Sequence, residues 1–358
     1  MPNQRVIAAE AGVTQAAVSR ALRGDRSIPL ATRQRIQAIA RRLGYRPNAY
    51  VSSLMAHIRS GRPLRDRGCV ALLVDAASEK DWLGHLGGYA YALQYRGVAQ
   101  RAAQLGFHTE CFYLRASGSR SAQHVDRVLR ARGLTGVILM PSWNRDAKEP
   151  APLSLSWDRY AVAAVAYSWT GIAVDRVSSH HRHNVDTAFA RLAAMGYRRI
   201  GMVLPPEAVE GVDYSWRERH LLWQQRLSVR QRIPLFVGKP GLTPVGRFQS
   251  WLRRWKPDVI IGLVGHEKEW LDRLGLSVPG DIGLACLNRP PDSSLAGVEE
   301  NLETVGAAAM DAVANRILHN EYGPPEHPRL VLIEGTWKDG GTVAPQASRE
   351  VRIEAAGE

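Results

Sequence analysis

Apolar residues in the first 45 positions recur at helical spacing in three short stretches. Val6, Ile7, Ala9 and Ala11 share one face and stop at Gly12, a residue suited to the left-handed turn that closes a helix. Thr14 then offers a side-chain cap to a second helix, in which Val18 and Leu22 lie about one turn apart. A third helix is predicted from Thr32 to Leu43, with Ile36, Ile39, Ala40 and Leu43 on its apolar face and Gly44 behind it. Two short helices joined by a tight turn and braced by a third form an all-α helix-turn-helix unit, whose second member has the size of a major-groove reader.

From Gly68 the pattern changes to short apolar runs alternating with helices, which predicts a parallel sheet covered on both faces. Strands are expected at Val70 to Val74, Thr109 to Tyr113 and Gly136 to Met140, with helices at Tyr89 to Leu105 and Val125 to Arg132 between them. A second cycle places strands at Ala161 to Ala166, Ile200 to Leu204, Val259 to Leu263 and Ile282 to Leu287, with helices at Asn184 to Met195 and Glu269 to Leu274. Two such units predict an α/β two-lobed body of the periplasmic-binding-protein-like kind (type I), with a cleft between the lobes at the strands' carboxyl ends. The expected domains are a headpiece at 1–46, a hinge helix and linker at 47–67, the two-lobed body at 68–345 and a flexible tail at 346–358.

Charge sharpens this division. The 358 residues carry a net charge of +13, and residues 1–67 hold thirteen arginines against Glu10, Asp25 and Asp66, which leaves only +3 for the remainder. A basic head on a nearly neutral body points to a polyanion, since Arg contacts to phosphate carry the sequence-independent part of DNA affinity. The first residues run straight into an amphipathic pattern, no long apolar span occurs, and a cytoplasmic protein with no membrane partner is expected. Cys69, Cys111 and Cys286 are too widely spaced for a zinc or redox motif, so no metal and no cofactor are expected.

The stretch from Ala8 to Leu22 (AAEAGVTQAAVSRAL), followed by Thr32 to Ile36 (TRQRI) and Leu43 to Asn48 (LGYRPN), resembles the headpiece of the lactose-repressor (LacI/GalR) family. Segments at 188–201, 219–223 and 274–283 are similar to the same family's body. The resemblance implies a sequence-specific transcriptional regulator, by family default a repressor. It would work as a homodimer on double-stranded operator DNA, controlled by a small-molecule effector in the cleft, a sugar or sugar derivative being one class. By that resemblance Gln15, Ala16 and Arg20 face base edges, Thr14 and Ser19 contact phosphate, and Arg23 and Asn48 add further DNA contacts. The side-chain chemistry agrees: Arg20 can grip guanine, Gln15 can pair with adenine, and Ala16 offers apolar contact to a thymine methyl. The family's hinge helix drives a leucine into the minor groove. Counting forward from Pro47 gives Leu54, with Met55 beside it, and counting back from Arg59-Ser-Gly-Arg62 gives Ile58.

In the body, Arg219 matches the family's cleft arginine. Where sugar-responsive members carry an Asp-Asn pair at the lobe crossover, this chain has His180-His181; where the family has an Asn-Asp before a helix after the 259–263 strand, it has Gly265-His-Glu-Lys268, and His180 and His266 are candidate cleft residues. Trp82, Tyr89 and Trp143 follow strands at positions that face a cleft and are candidate stacking surfaces. The His180-His181-x-His183 patch is read as cleft wall or loop in preference to a metal site. With no G-x-S-x-G elbow, P-loop or dinucleotide fingerprint, no enzymatic activity is expected.

Also expected is that Ala296 to Asn301 and Gly306 to Asp311 keep the form of a helix that lies, in the family, near the dimer interface.

Overall fold

In the computed structural model the described residues are 4–22, 28–43, 68–84, 88–116, 122–141, 153–169, 171–206, 208, 212–263 and 265–346. The chain divides into two compact units, Met1–Leu64 and Arg65–Glu358.

The first unit contains α1 (Gln4–Ala11), α2 (Gln15–Leu22) and α3 (Leu30–Arg42). Ile7, Ala8, Ala11, Val18, Ala21, Ile36 and Ala40 form its core, with Leu22, Ile39 and Leu43 packed against it; of the apolar positions that the helical spacing puts on this face, Val6 and Ala9 are exposed instead, and Ala8 and Ala21 take part in the core. Gly12 takes φ +63°, so the α1–α2 turn uses a conformation that glycine adopts without strain. The amides of Gly12 and Val13 return to the carbonyls of Ala9 and Ala8, satisfying the end of α1. Thr14 Oγ1 accepts from the Ala17 amide at 3.2 Å, the expected cap of α2. Arg35 reaches the Ala11 carbonyl at 3.0 Å and Gln37 the Ala21 carbonyl at 3.3 Å, so α3 ties off the carboxyl ends of both shorter helices.

The second unit holds two six-stranded sheets. The first lobe contains β1 (Cys69–Val74), α4 (Glu79–Leu83), α5 (Gly88–Leu105), β2 (His108–Tyr113), α6 (Ala122–Ala131), β3 (Gly136–Leu139), β4 (Ala161–Val165) and β5 (Asp175–Ser179). The second lobe contains α7 (His181–Ala194), β6 (Ile200–Leu204), α8 (Ser215–Gln225), β7 (Phe236–Val237), α9 (Val245–Trp255), β8 (Val259–Gly262), α10 (Glu267–Arg273), β9 (Gly283–Cys286) and β10 (Ala296–Glu299). The chain then returns to the first lobe with α11 (Leu302–His319) and β11 (Leu330–Ile333), and ends in the second with β12 (Thr336–Lys338).

Strand order is β11-β5-β4-β3-β1-β2 in the first sheet, all parallel, and β12-β10-β9-β8-β6-β7 in the second, where only β12 runs antiparallel. The central strands β1, β3, β4, β6, β8 and β9 are buried along their whole length, as unbroken apolar runs require when helices cover both faces. In the first lobe α11 lies against α5 at backbone distance. A Cβ on Gly306 would meet the Gln94 carbonyl at 2.0 Å, and one on Gly97 would meet the Glu303 carbonyl at 2.0 Å.

Two sequence expectations are corrected. Ala296 to Glu299 is the strand β10 and not part of a helix, because Ala296 and Val298 are packed in the second core and Gly297 sits against the Cys286 backbone of β9. Helix α7 starts at His181, three residues before the expected Asn184, so its first turn is polar and carries no apolar signal.

Candidate functional sites: a basic reading helix and a bridged cleft

In the first unit Thr14, Gln15 and Arg20 are exposed, on the helix whose Val18 and Ala21 are buried beneath them. A helix with one face locked in a core and an exposed amide and guanidinium on the other can present both to base edges. Ala16 and Ser19 fall within α2, but their side chains lie outside the described residues. Arg23, Asn48, Leu54, Met55 and the alternative Ile58 also lie outside the described residues.

In the second unit the chain crosses between lobes three times, at Ser179–His181, Glu299–Leu302 and Ile333–Thr336. Hydrogen bonds bind the crossings together. The His180 amide donates to the Ile333 carbonyl at 2.7 Å, and Asn301 Nδ2 to the Glu334 carbonyl at 2.8 Å. Asn184 donates through Nδ2 to Glu300 Oε1 at 3.0 Å and accepts from the Gly335 amide at 3.0 Å. The same Glu300 oxygen lies 3.1 Å from His181 Nδ1. His181, Asn184 and Glu300 are all buried, so this polar knot is protected from water.

The cleft candidates separate on this geometry. Tyr89 stands at the start of α5 in the first lobe, and its hydroxyl donates to the Asn288 backbone carbonyl at 2.7 Å and lies against Asn288 Oδ1. Asn288 follows β9 in the second lobe, so this contact spans the cleft at the strand ends. Burial, and after it the charge of Glu300, pushes the Tyr89 phenol far above its ordinary range, which keeps it a hydrogen donor. His266 is half-buried at the N-cap of α10, beyond the carboxyl end of β8. Arg219 forms a two-pronged ion pair with Asp186 of α7, its Nε donating to Oδ1 at 2.9 Å, so its guanidinium is held within the second lobe. His180 sits on the first crossing.

Trp82 does not offer a stacking face. It is 2 % exposed, its indole N–H donates to the Pro141 carbonyl at 2.8 Å, and Tyr91 and Tyr95 flank its ring at 6.4 and 6.0 Å. The indole was expected beyond the strand end, but the short helix α4 folds it back into the core of the first lobe. Trp143 lies outside the described residues.

Glu267 and Asn288 escape a reading by motif. Glu267 opens α10 with Oε1 3.4 Å from the Leu263 amide, while Oε2 has no hydrogen-bond partner among the described residues. Burial pushes its carboxyl up to about 7, so it exchanges a proton near neutral pH beside the cleft. Glu267 lies within Gly265-His-Glu-Lys268, where the sequence alone does not show that its carboxyl is buried.

Comparison with known proteins accords with both units. The profile for bacterial regulatory proteins of the lacI family matches residues 6–48, and that for the periplasmic binding protein-like domain matches residues 189–343. The chain is 27% identical over 324 residues to the HTH-type transcriptional regulator PtxS of Pseudomonas plecoglossicida, covering 87% of this chain and 88% of that one. It is 29% identical over 222 residues to the HTH-type transcriptional regulator CelR of Thermobifida fusca, covering 59% of this chain and 58% of that one. Among solved structures, a CelR–cellobiose complex superposes with a TM-score of 0.56 at 21% identity, over 96% of this chain and 100% of that one. The lac repressor dimer bound to operator and the anti-inducer ONPF gives a TM-score of 0.53 at 18% identity, over 96% and 99%. With a capped helix on a three-helix core and a two-lobed body joined by three crossings, the chain carries a lacI-family helix-turn-helix domain at its N-terminus, followed in sequence by a periplasmic-binding-protein-like domain.

Proposed function

We propose that this regulator acts as a homodimer in the cytoplasm, each α2 reading one half-site of a pseudo-palindromic operator and the 47–67 segment linking the headpiece to the body. Gln15 and Arg20 read bases, Ala16 adds apolar contact, and Thr14, Ser19, Arg23 and Asn48 hold the backbone. Leu54 and Met55 enter the central minor groove, Ile58 being the alternative wedge. The observation that carries this reading is the exposed pair Gln15 and Arg20 on a helix whose opposite face is buried and whose N-terminus is capped by Thr14.

A small polar effector binds between the lobes, at the strand ends where Tyr89 meets Asn288 and where His266 stands. An amide, a phenol and an imidazole are suited to a hydroxyl-rich molecule, and the structural neighbour solved with cellobiose supports that class. Because Tyr89–Asn288 joins the lobes directly, an effector that competes for Asn288 favours the open state and one that bridges both residues favours the closed state.

Selection of duplexes from a random library by the full-length protein, with and without a panel of mono- and disaccharides, tests the proposal. The expected result is enrichment of a two-fold symmetric site, with the yield changed by an effector. Recovery of unrelated sequences would overturn it.

A further inference from the structure

We propose that His180, His183 and Glu334 form a binding site for a divalent transition metal, zinc being the best match, built across the crossings between the two lobes. One donor atom from each of the three residues lies within 4.8 Å of the other two. His180 Nδ1 is 3.7 Å and His183 Nδ1 3.8 Å from the same Glu334 Oε1. Two imidazoles and a carboxylate are the donor set of an open zinc site, with the fourth position left to water. Tetrahedral zinc with bonds of about 2 Å holds its donors roughly 3.3 Å apart. The group therefore closes on a metal with side-chain shifts of under about 1 Å.

The surroundings orient the imidazoles for this. His183 Nε2 lies 3.3 Å from Thr187 Oγ1 one turn along α7, so an Nε2–H directed at that hydroxyl leaves Nδ1 as the lone-pair nitrogen facing Glu334. His180 occupies the N-cap position of α7, yet its side chain makes no capping bond. Its ring instead stacks on His183, with centroids 5.6 Å apart and planes 21° from parallel. The positive end of the α7 dipole opposes a cation here, and the Glu334 carboxylate offsets it. The two imidazoles are about one-third exposed and Glu334 about two-thirds, which leaves a path for the ion.

The location gives the site its consequence. His180 lies on the crossing from β5 to α7, and Glu334 on the crossing from β11 to β12. The His180 amide already donates to Ile333, the residue before Glu334. A metal held by both side chains adds a second clamp between two of the three strands about which the lobes move, and stiffens the hinge.

Zinc titration of the untagged full-length protein, followed by calorimetry and thermal melting with and without chelator, tests the site. Cobalt substitution reports the geometry through its visible spectrum. The expected result is one zinc per chain, a melting temperature raised by zinc and returned by chelator, and an intense tetrahedral cobalt spectrum. His183→Ala and Glu334→Gln should each weaken zinc binding by at least about tenfold, and Glu334→Gln, at an exposed position, should leave the metal-free fold intact. The exposed pair His327 and Glu326, 3.9 Å apart, is the control, and His327→Ala should change nothing. Absence of zinc binding, or binding indifferent to His183→Ala and Glu334→Gln, would overturn the proposal.

Discussion

At the scale of single residues, the DNA contacts and the buried ionisable groups make separable claims. Arg20 projects from a helix held by Val18 and Ala21, so truncating it removes a contact without disturbing the core. Arg20→Ala is expected to cost about 1 to 3 kcal/mol of binding to the preferred operator and to relax preference at one base position. A loss equal on all sequences, measured by titration against single-position operator variants, would make it a phosphate contact instead. Glu267 gives a pH signature. Burial raises its carboxyl from 4.5 to about 7 in the folded chain, so the folded state keeps a proton that the unfolded state has released. Stability therefore falls as pH climbs between those values and levels off above them. His220 works in the opposite sense: burial lowers its imidazole from 6.5 to about 4, and stability is lost as pH falls through that range. Because the two overlap, the difference between wild type and Glu267→Gln is the informative quantity. It should narrow the stability loss on raising pH by on the order of 1 kcal/mol per pH unit, read from denaturant melts. Parallel pH profiles for the two proteins would show Glu267 to be ionised throughout.

At the scale of elements, the pairing of α5 with α11 depends on glycines that local patterning does not single out. The stretch Gly306-Ala-Ala-Ala is legible as helix, but its function in letting two backbones touch appears only when Gln94 is found opposite. Gly306→Ala is expected to destabilise the body by about 1 to 3 kcal/mol, because the Gln94 carbonyl cannot yield without moving α5. Unchanged denaturation of the body would contradict that packing. The strands divide in the same way. β1 was legible as Cys-Val-Ala-Leu-Leu-Val, an uninterrupted apolar run. β5, Asp-Arg-Val-Ser-Ser, was not, because it is held in the sheet partly by the Asp175 pairing with Arg329 at 2.6 Å, a partner 154 residues away. The short edge strands β7 and β12 carry too few residues to register, and β11 exposes Leu330, Val331 and Leu332 with no polar alternation to mark it. The Tyr89–Asn288 bridge is likewise a pairing across 199 residues. Tyr89→Phe removes its donor, and amide exchange should quicken at the loop after β9 while the strands of the second sheet stay protected. Unaltered exchange at Asn288 and Arg289 would show the bridge to be inconsequential.

At the scale of the whole molecule, the division into a basic head and a neutral two-lobed body was written in the arginine distribution and in the switch from helical to alternating strand–helix patterning. What the sequence did not disclose is the hinge. His181, Asn184 and Glu300 meet only because three crossings converge, and no local period links residues 119 positions apart. The same convergence brings Glu334 to His180 and His183, which turns a patch read as cleft wall or loop into a chelating group. The account rests centrally on the headpiece discriminating sequence. The most direct measurement is the ratio of equilibrium affinities, at one fixed salt concentration, for the best selected duplex and for a scrambled duplex of equal composition. The account predicts a ratio of about a thousandfold or more; equal affinities would contradict it.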